Sequence, residues 1–287
     1  MKQRVLVDCD NTMGLPYWEV DDGLTLLYLL GRPDIELLGV TTTFGNGTIE
    51  QVYPLTEELL RDLGREDIPL FKGESRRGEP PTEAARFLAA TAAAHPGEIT
   101  LLALGPVGNL RAAAELDPDF FRHLKQIAIM GGYLHPLRIG WRNLAELNLS
   151  SDPEAALAVL NAPCPITLMN AHICLQAGFG WSDLRRVGHW GPKTRRYIRN
   201  WLLGFGLHCG VPRFYLWDLL PAVYVSYPEL FDANPVWVRS TLSDLRTGMI
   251  IPGSEGQGKC ITMPTQILDR GRFKEVLFEA WRQVEAK

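Results

Sequence analysis

Nowhere does the chain hold the roughly 18–20 consecutive apolar residues that a membrane-spanning helix needs, so no membrane partner is expected. A basic excess is also missing. Against 33 Asp and Glu stand 29 Lys and Arg, a net charge of -4, which leaves no electrostatic footprint for a nucleic-acid backbone. Cysteine is scarce and unpaired: Cys9, Cys164, Cys174, Cys209 and Cys260 are scattered, with no CxxC spacing. That excludes a disulfide framework and a thiolate zinc site, and fits reduced thiols in a cytoplasmic enzyme. After the basic MKQR opening, the apolar run Val5–Val7 meets Asp8 at once, too short for a secretory signal core.

What the chain does have is bulk and alternation. Its 287 residues are 46% hydrophobic and 22% charged, enough for one large core and for a single domain over residues 1–287. Short apolar runs at Val5–Val7, Glu36–Thr43, Ile68–Phe71, Ile99–Leu104, Gln126–Met130 and Ile166–Asn170 read as strands. Between them Gly23–Leu30, Ile49–Leu63, Pro80–Ala94, Asn109–Leu116 and Pro153–Asn161 carry helical spacing, as do Trp217–Tyr227 and the tail from Ile267. Strands alternating with helices predict an α/β fold with a mostly parallel central sheet and helices on both faces. The segment Trp181–Pro212 breaks the pattern, with Trp181, Trp190 and Trp201 as a lid or a dimer face and Lys193–Arg199 as a solvated helix surface.

Ligands of open parallel sheets bind at the carboxyl ends of the strands, and the polar residues collect there. Asp8 and Asp10 follow the first strand, Asp21 and Asp22 close the same loop, and Asn46 follows the second strand. Glu146 and Asn148 lie beyond Gly131-Gly132. Asp21-Asp22 alone would read as a helix cap. Capping does not account for Asp8 and Asp10 at the other end of the loop, and four carboxylates together call for a hard cation such as calcium or magnesium. The opening VLVDCDNT also matches the DxDxT start of haloacid dehalogenase phosphatases, with Asp8 as nucleophile, but no late acidic pair follows.

A longer series of motifs runs through the chain: VLVDCD, VDDGLTLLYLL, GVTTTFGN, ALGPVGNL, IAIMGG, AELNLSSDPEAA and WDLLPAVYVSYPELF. In this order they resemble the inosine-uridine preferring nucleoside hydrolases, calcium-dependent N-ribohydrolases with a Rossmann-like fold. The resemblance implies Asp10, Asp22, Asp218 and the carbonyl of Leu104 as calcium ligands, and Asp10 as the base that takes a proton from a calcium-bound water. It implies Asp21, Asn46, Glu146 and Asn148 around the ribose hydroxyls, and Asp8 orienting the site from behind. Hydrolysis of a nucleoside or related riboside to ribose and base is the implied reaction, by a homodimer or homotetramer. A calcium-ordered protein that binds ribosides without cleaving them is the alternative.

Departures from the family concentrate on the leaving-group side. The compact acidic loop is lengthened by seven residues, placing Tyr17 and Trp18 beside the site. Trp217 stands where the family has a proton-donating His; it either stacks on the base or packs as core. Ala171-His172-Ile173-Cys174-Leu175 replaces the family's Leu-Asp-Val-Thr-His, the His-Gly segment before Pro80 is deleted, and either Trp141 or Asn143 takes the place of the Asn ahead of Glu146. His172 and His208, and after them Tyr215, are candidate replacement acids.

Overall fold

A computed structural model describes residues 2–187 and 190–284. The parallel body of the sheet is β1 (Gln3–Cys9), β2 (Ile35–Thr42), β3 (Leu70–Lys72), β4 (Ile99–Ala103) and β5 (Leu124–Met130). Two small hairpins lie outside it: β6 (Leu137–Ile139) with β7 (Arg142–Leu144), and β9 (Gly178–Gly180) with β10 (Arg213–Tyr215). The strand β8 (Ile166–Met169) rejoins the body, and β11 (Pro235–Val238), β12 (Pro252–Gly253) and β13 (Lys259–Thr262) complete it. The nine-stranded order is β12-β11-β13-β8-β5-β4-β1-β2-β3. Every pairing from β13 to β3 is parallel, and only β11 runs against its neighbours.

The expected α/β architecture is present, with helices on both faces. Its cause is visible in β1, where Val5, Val7 and Cys9 enter one hydrophobic cluster and Leu6 the other. Leu102 and Ala128 likewise point opposite to Leu101, Ala103, Ile127 and Ile129. Strands apolar on both faces need a covering layer on each side.

Most expected elements sit within a few residues of their predicted places, and three differences matter. The first helix is Asp21–Leu30, two residues longer at its start than expected, so the acidic pair forms its first turn. The strand expected at Ile68–Phe71 is Leu70–Lys72, because the register places Leu70 opposite Val40. The helix expected at Trp217–Tyr227 is Leu219–Ser226, which leaves Trp217 and Asp218 in the turn ahead of it. The antiparallel edge and both hairpins were not anticipated; three-residue strands are too short to show a period.

The C-terminal helix, Arg270–Arg282, starts at an Asp269 cap whose side chain accepts the amide of Arg272. It packs on Asp21–Leu30, with Trp281 fully buried and its indole N–H donating to the carbonyl of Leu24 at 3.0 Å. Gly31 lies against the Ala280 carbonyl so closely that a Cβ would stand 2.0 Å from it. No helix among the described residues is long and apolar enough to cross a membrane.

Candidate active site

The ends of β1, β2, β4 and β5 converge on one cavity of about 330 Å³. Beneath it, Asp8, Asp10, Asp21, Asp22 and Asp218 are all buried. Asp8 is the deepest anchor. Its Oδ1 accepts the Thr41 hydroxyl at 2.6 Å and the Asn109 amide at 2.8 Å. Asn109 also donates to the Thr42 carbonyl and accepts the Glu74 amide, tying three loops together. Burial pushes the Asp8 carboxyl up to about 7 against the pull of those two donors.

Asp10 is held by Asn46, whose backbone N–H donates to Oδ2 at 2.5 Å while its side-chain amide stands 3.5 Å from Oδ1. The turn allows this because residue 45 is glycine: a Cβ there would lie 2.0 Å from Asp10 Oδ2. Burial raises Asp10, Asp21, Asp22 and Asp218 above the ordinary carboxylate range, and repulsion from neighbouring carboxylates adds to it at Asp10, Asp22 and Asp218.

The three carboxylates of Asp21, Asp22 and Asp218 offer oxygens within 4.8 Å of one another. Each has a buried Oδ1 with no hydrogen-bond donor. Buried carboxylate oxygens without donors are costly alone and are satisfied by a divalent cation, so the residues fit a calcium ion. Asp10 lies outside this group but contacts Asp22 through its side chain. The Leu104 carbonyl lines the cavity wall and accepts the Asn148 amide at 2.9 Å.

The opposite wall presents Glu146 and Asn148. Glu146 accepts backbone N–H groups of Gly132, Leu149 and Ser150 at 3.0, 2.9 and 2.7 Å. These donors counter the burial that raises its carboxyl. The Asn148 amide bridges the carbonyls of Leu104 and Met130, the latter at 3.0 Å. Both side chains are thus oriented by backbone, which leaves their remaining lone pairs for a ligand.

The third wall is aromatic. Trp217 is buried beside Asp218, and a chain of ring contacts runs from it through Tyr215 and Phe205 to Trp201, at 5.4, 6.0 and 5.3 Å. Trp217, Phe205, Trp201, Tyr133 and His208 line the cavity. His172 does not line the cavity: its ring is tilted against that of His135 at 3.8 Å and lies 6.3 Å from that of the lining residue Tyr133, with Nε2 at 3.1 Å from the His135 carbonyl. The three tryptophans expected to share a face are separated: Trp181 is exposed, Trp190 packs on Trp281, and Trp201 enters the cavity. Arg195, Arg196 and Arg199 are exposed on the helix Pro192–Cys209, and Lys193 pairs with Glu58 at 2.6 Å.

Glu19 is the residue that sequence reasoning missed. The lengthened loop turns Tyr17 and Trp18 outward, with Tyr17 in the left-handed region at φ 64, and sends Glu19 into the cavity. Its carboxyl takes hydrogen bonds from the side chains of Asn46 and Trp217, while burial and then Asp21 and Asp10 drive it well above its ordinary value. The available signal was a carboxylate two residues ahead of an acidic pair.

A parallel sheet that delivers a cation-ready carboxylate floor and a polar wall to one cavity has the layout of an α/β enzyme site. The family follows from comparison. A family model described as inosine-uridine preferring nucleoside hydrolase matches residues 5–275, and the chain belongs to that family of N-glycosyl hydrolases. Uridine nucleosidase 1 of Arabidopsis thaliana is 30% identical over 264 residues, covering 80% of this chain and 75% of its own. A pyrimidine-specific ribonucleoside hydrolase RihA of Shewanella baltica is 25% identical, covering 98% of this chain and 97% of its own. The solved structure of a plant nucleoside hydrolase, the PpNRh1 enzyme, superposes with a TM-score of 0.85 at 23% identity, over 98% of this chain and 99% of its own. The likeness of the opening to haloacid dehalogenase phosphatases is therefore confined to the DxDxT spacing.

Proposed function

We propose that this protein hydrolyses the N-glycosidic bond of a ribonucleoside, in a calcium-dependent reaction that releases ribose and the free base. The observation that carries this reading is the group of carboxylates of Asp21, Asp22 and Asp218, each with one buried oxygen that no donor meets, beside Asp10 and facing Glu146 and Asn148 across one cavity. Asp10, Asp22, Asp218 and the Leu104 carbonyl would hold the ion, with Asp21 reaching between it and the sugar. Bound there, calcium would supply Lewis acidity that makes a water easier to deprotonate.

Asp10 takes the proton as the water oxygen adds to C1′, and the electron pair of the C1′–N bond leaves with the base. Asn46 fixes the Asp10 oxygens for that transfer. Glu146, Asn148 and Asp21 grip the ribose hydroxyls, which holds C1′ against the water and favours an oxocarbenium-like sugar. The similarity to a uridine nucleosidase and a pyrimidine-specific hydrolase supports a pyrimidine riboside as substrate. The reading includes one domain over residues 1–287, a cytoplasmic setting and a homodimer or homotetramer; exposed Leu203, Leu207 and Trp181 support the last.

A non-catalytic riboside binder is the second reading, favoured by one observation: Trp217 occupies the position of the family's acid and its side chain is hydrogen-bonded to Glu19. Ribose release from a nucleoside panel, with calcium and with chelator, separates the two. Chelator-sensitive release is expected; tight riboside binding with no release would leave the binder.

A further inference from the structure

Four aromatic residues, Tyr133, Trp201, Phe205 and Trp217, line the cavity together with Glu19. Tyr133 spends its hydroxyl on the Leu144 carbonyl at 2.6 Å, so what it has to offer a ligand is its ring. The side chains of Asn46 and Trp217 donate to the Glu19 carboxyl, which fixes it where the acidic floor meets the aromatic wall. Both donors are neutral, and neither offsets a charge. Among the described residues that line the cavity none is Lys or Arg, and the one His, His208, is exposed. A calcium ion held by Asp10, Asp22 and Asp218 would compensate the floor and leave Glu19 outside that set. Aromatic faces carry negative potential, and a carboxylate beside them adds a full charge; organic cations are held in such surroundings.

We propose that the site also takes ribosides whose base is a cation, of the N-ribosylpyridinium class, and that Glu19 is the residue that selects for the charge. This rests on the hydrolase reading above and extends its substrate class. As the water oxygen adds to C1′, its proton goes to Asp10. The electron pair of the C1′–N bond returns to the ring nitrogen and cancels its positive charge, so the base leaves neutral and needs no proton. The step asks nothing of Trp217, whose indole has no acid proton to give. The positive charge passes from the ring to the sugar, toward the carboxylates of the floor. The contact with Glu19 is thus fullest in the bound riboside and fades as the bond breaks, which places its effect in KM rather than in kcat.

The test uses nicotinamide riboside and nicotinic acid riboside, which share a pyridinium leaving group; the second carries a carboxylate that cancels the charge. Wild type in calcium is expected to release ribose from nicotinamide riboside above the enzyme-free rate. Its KM should lie roughly tenfold below that for nicotinic acid riboside, the order of one desolvated contact to a cation. Glu19→Gln keeps an acceptor for Asn46 and Trp217 and removes the charge. In that variant KM for nicotinamide riboside should rise roughly tenfold, with a smaller rise for uridine, whose base is neutral. Three outcomes would each overturn the proposal and leave the hydrolase reading standing: wild type that cleaves uridine but not nicotinamide riboside, equal KM for the two pyridinium ribosides, or equal rises for nicotinamide riboside and uridine in the variant. No ribose release by wild type from uridine or from either pyridinium riboside would overturn the hydrolase reading and this with it.

Discussion

The floor and the aromatic wall of the cavity are built on opposite principles. On the floor three carboxylates are fixed by groups far away in sequence: Asp8 by Thr41 and Asn109, Asp10 by Asn46, and Asp21 by the amide of Asp218. Buried charges tolerate no slack, since an error of one hydrogen bond leaves a desolvated oxygen unpaid. The aromatic wall is held by ring contacts of 5.3 to 6.0 Å. Such contacts are individually weak and tolerate exchange of one ring for another. Under the hydrolase reading, the half that would handle the common part of the substrate is therefore constrained by its own electrostatics, and the half that would meet the variable part is free to change.

That contrast is broken most sharply at Asp10. Asp10→Asn should lower ribose release by roughly 10²–10⁴-fold, the range for a lost general base. Raising calcium should not recover it; recovery by metal would show that Asp10 only binds the ion. A second test addresses the stability of the floor. Asp8 rises from 3.8 to about 7 on folding, so the folded state keeps a proton that the unfolded chain releases. The metal-free protein should then lose stability as pH rises from about 4 to about 7, by on the order of 4 kcal/mol from this group. Thermal melts in chelator at pH 5 and pH 8 would measure the fall, and calcium should restore more at pH 8 than at pH 5. A melting temperature flat across that range would sink the account of the floor. The smallest effect is expected on the aromatic wall. Trp217→His places an imidazole beside Asp218 and should raise purine over pyrimidine hydrolysis about tenfold, below the roughly 10²–10⁴-fold of an acid positioned for its task. Competition assays with inosine and uridine would read the ratio.

The same difference decided what was legible in the sequence. Strands buried on both faces are continuous apolar runs, so the parallel body and its strand-end carboxylates could be placed from the residues themselves. Asp21, Asp22 and Asp218 do come together, because a charge cluster must be a property of the whole chain. Glu19 escaped, since which residue of a loop points inward depends on its backbone, here turned at Tyr17. Trp201 was singled out but not placed: a tryptophan in an amphipathic helix looks alike whether it faces a core, a partner or a cavity. His172 has the chemistry of an acid, yet it pairs with His135 and lies behind the lining residue Tyr133 rather than among the lining residues itself.

The packing of the last helix on the first has a consequence for synthesis. The Asp21–Asp218 hydrogen bond closes 197 residues of chain, and the Trp281–Leu24 bond 257. A chain emerging from its amino end thus carries Asp8, Asp10, Asp21 and Asp22 long before Asp218 exists, and before Trp281 can seat the helix that bears the acidic pair. Contacts of such long span form late. A cation site that needs Asp218 would therefore be completed only late in translation, and would give the nascent chain no early foothold.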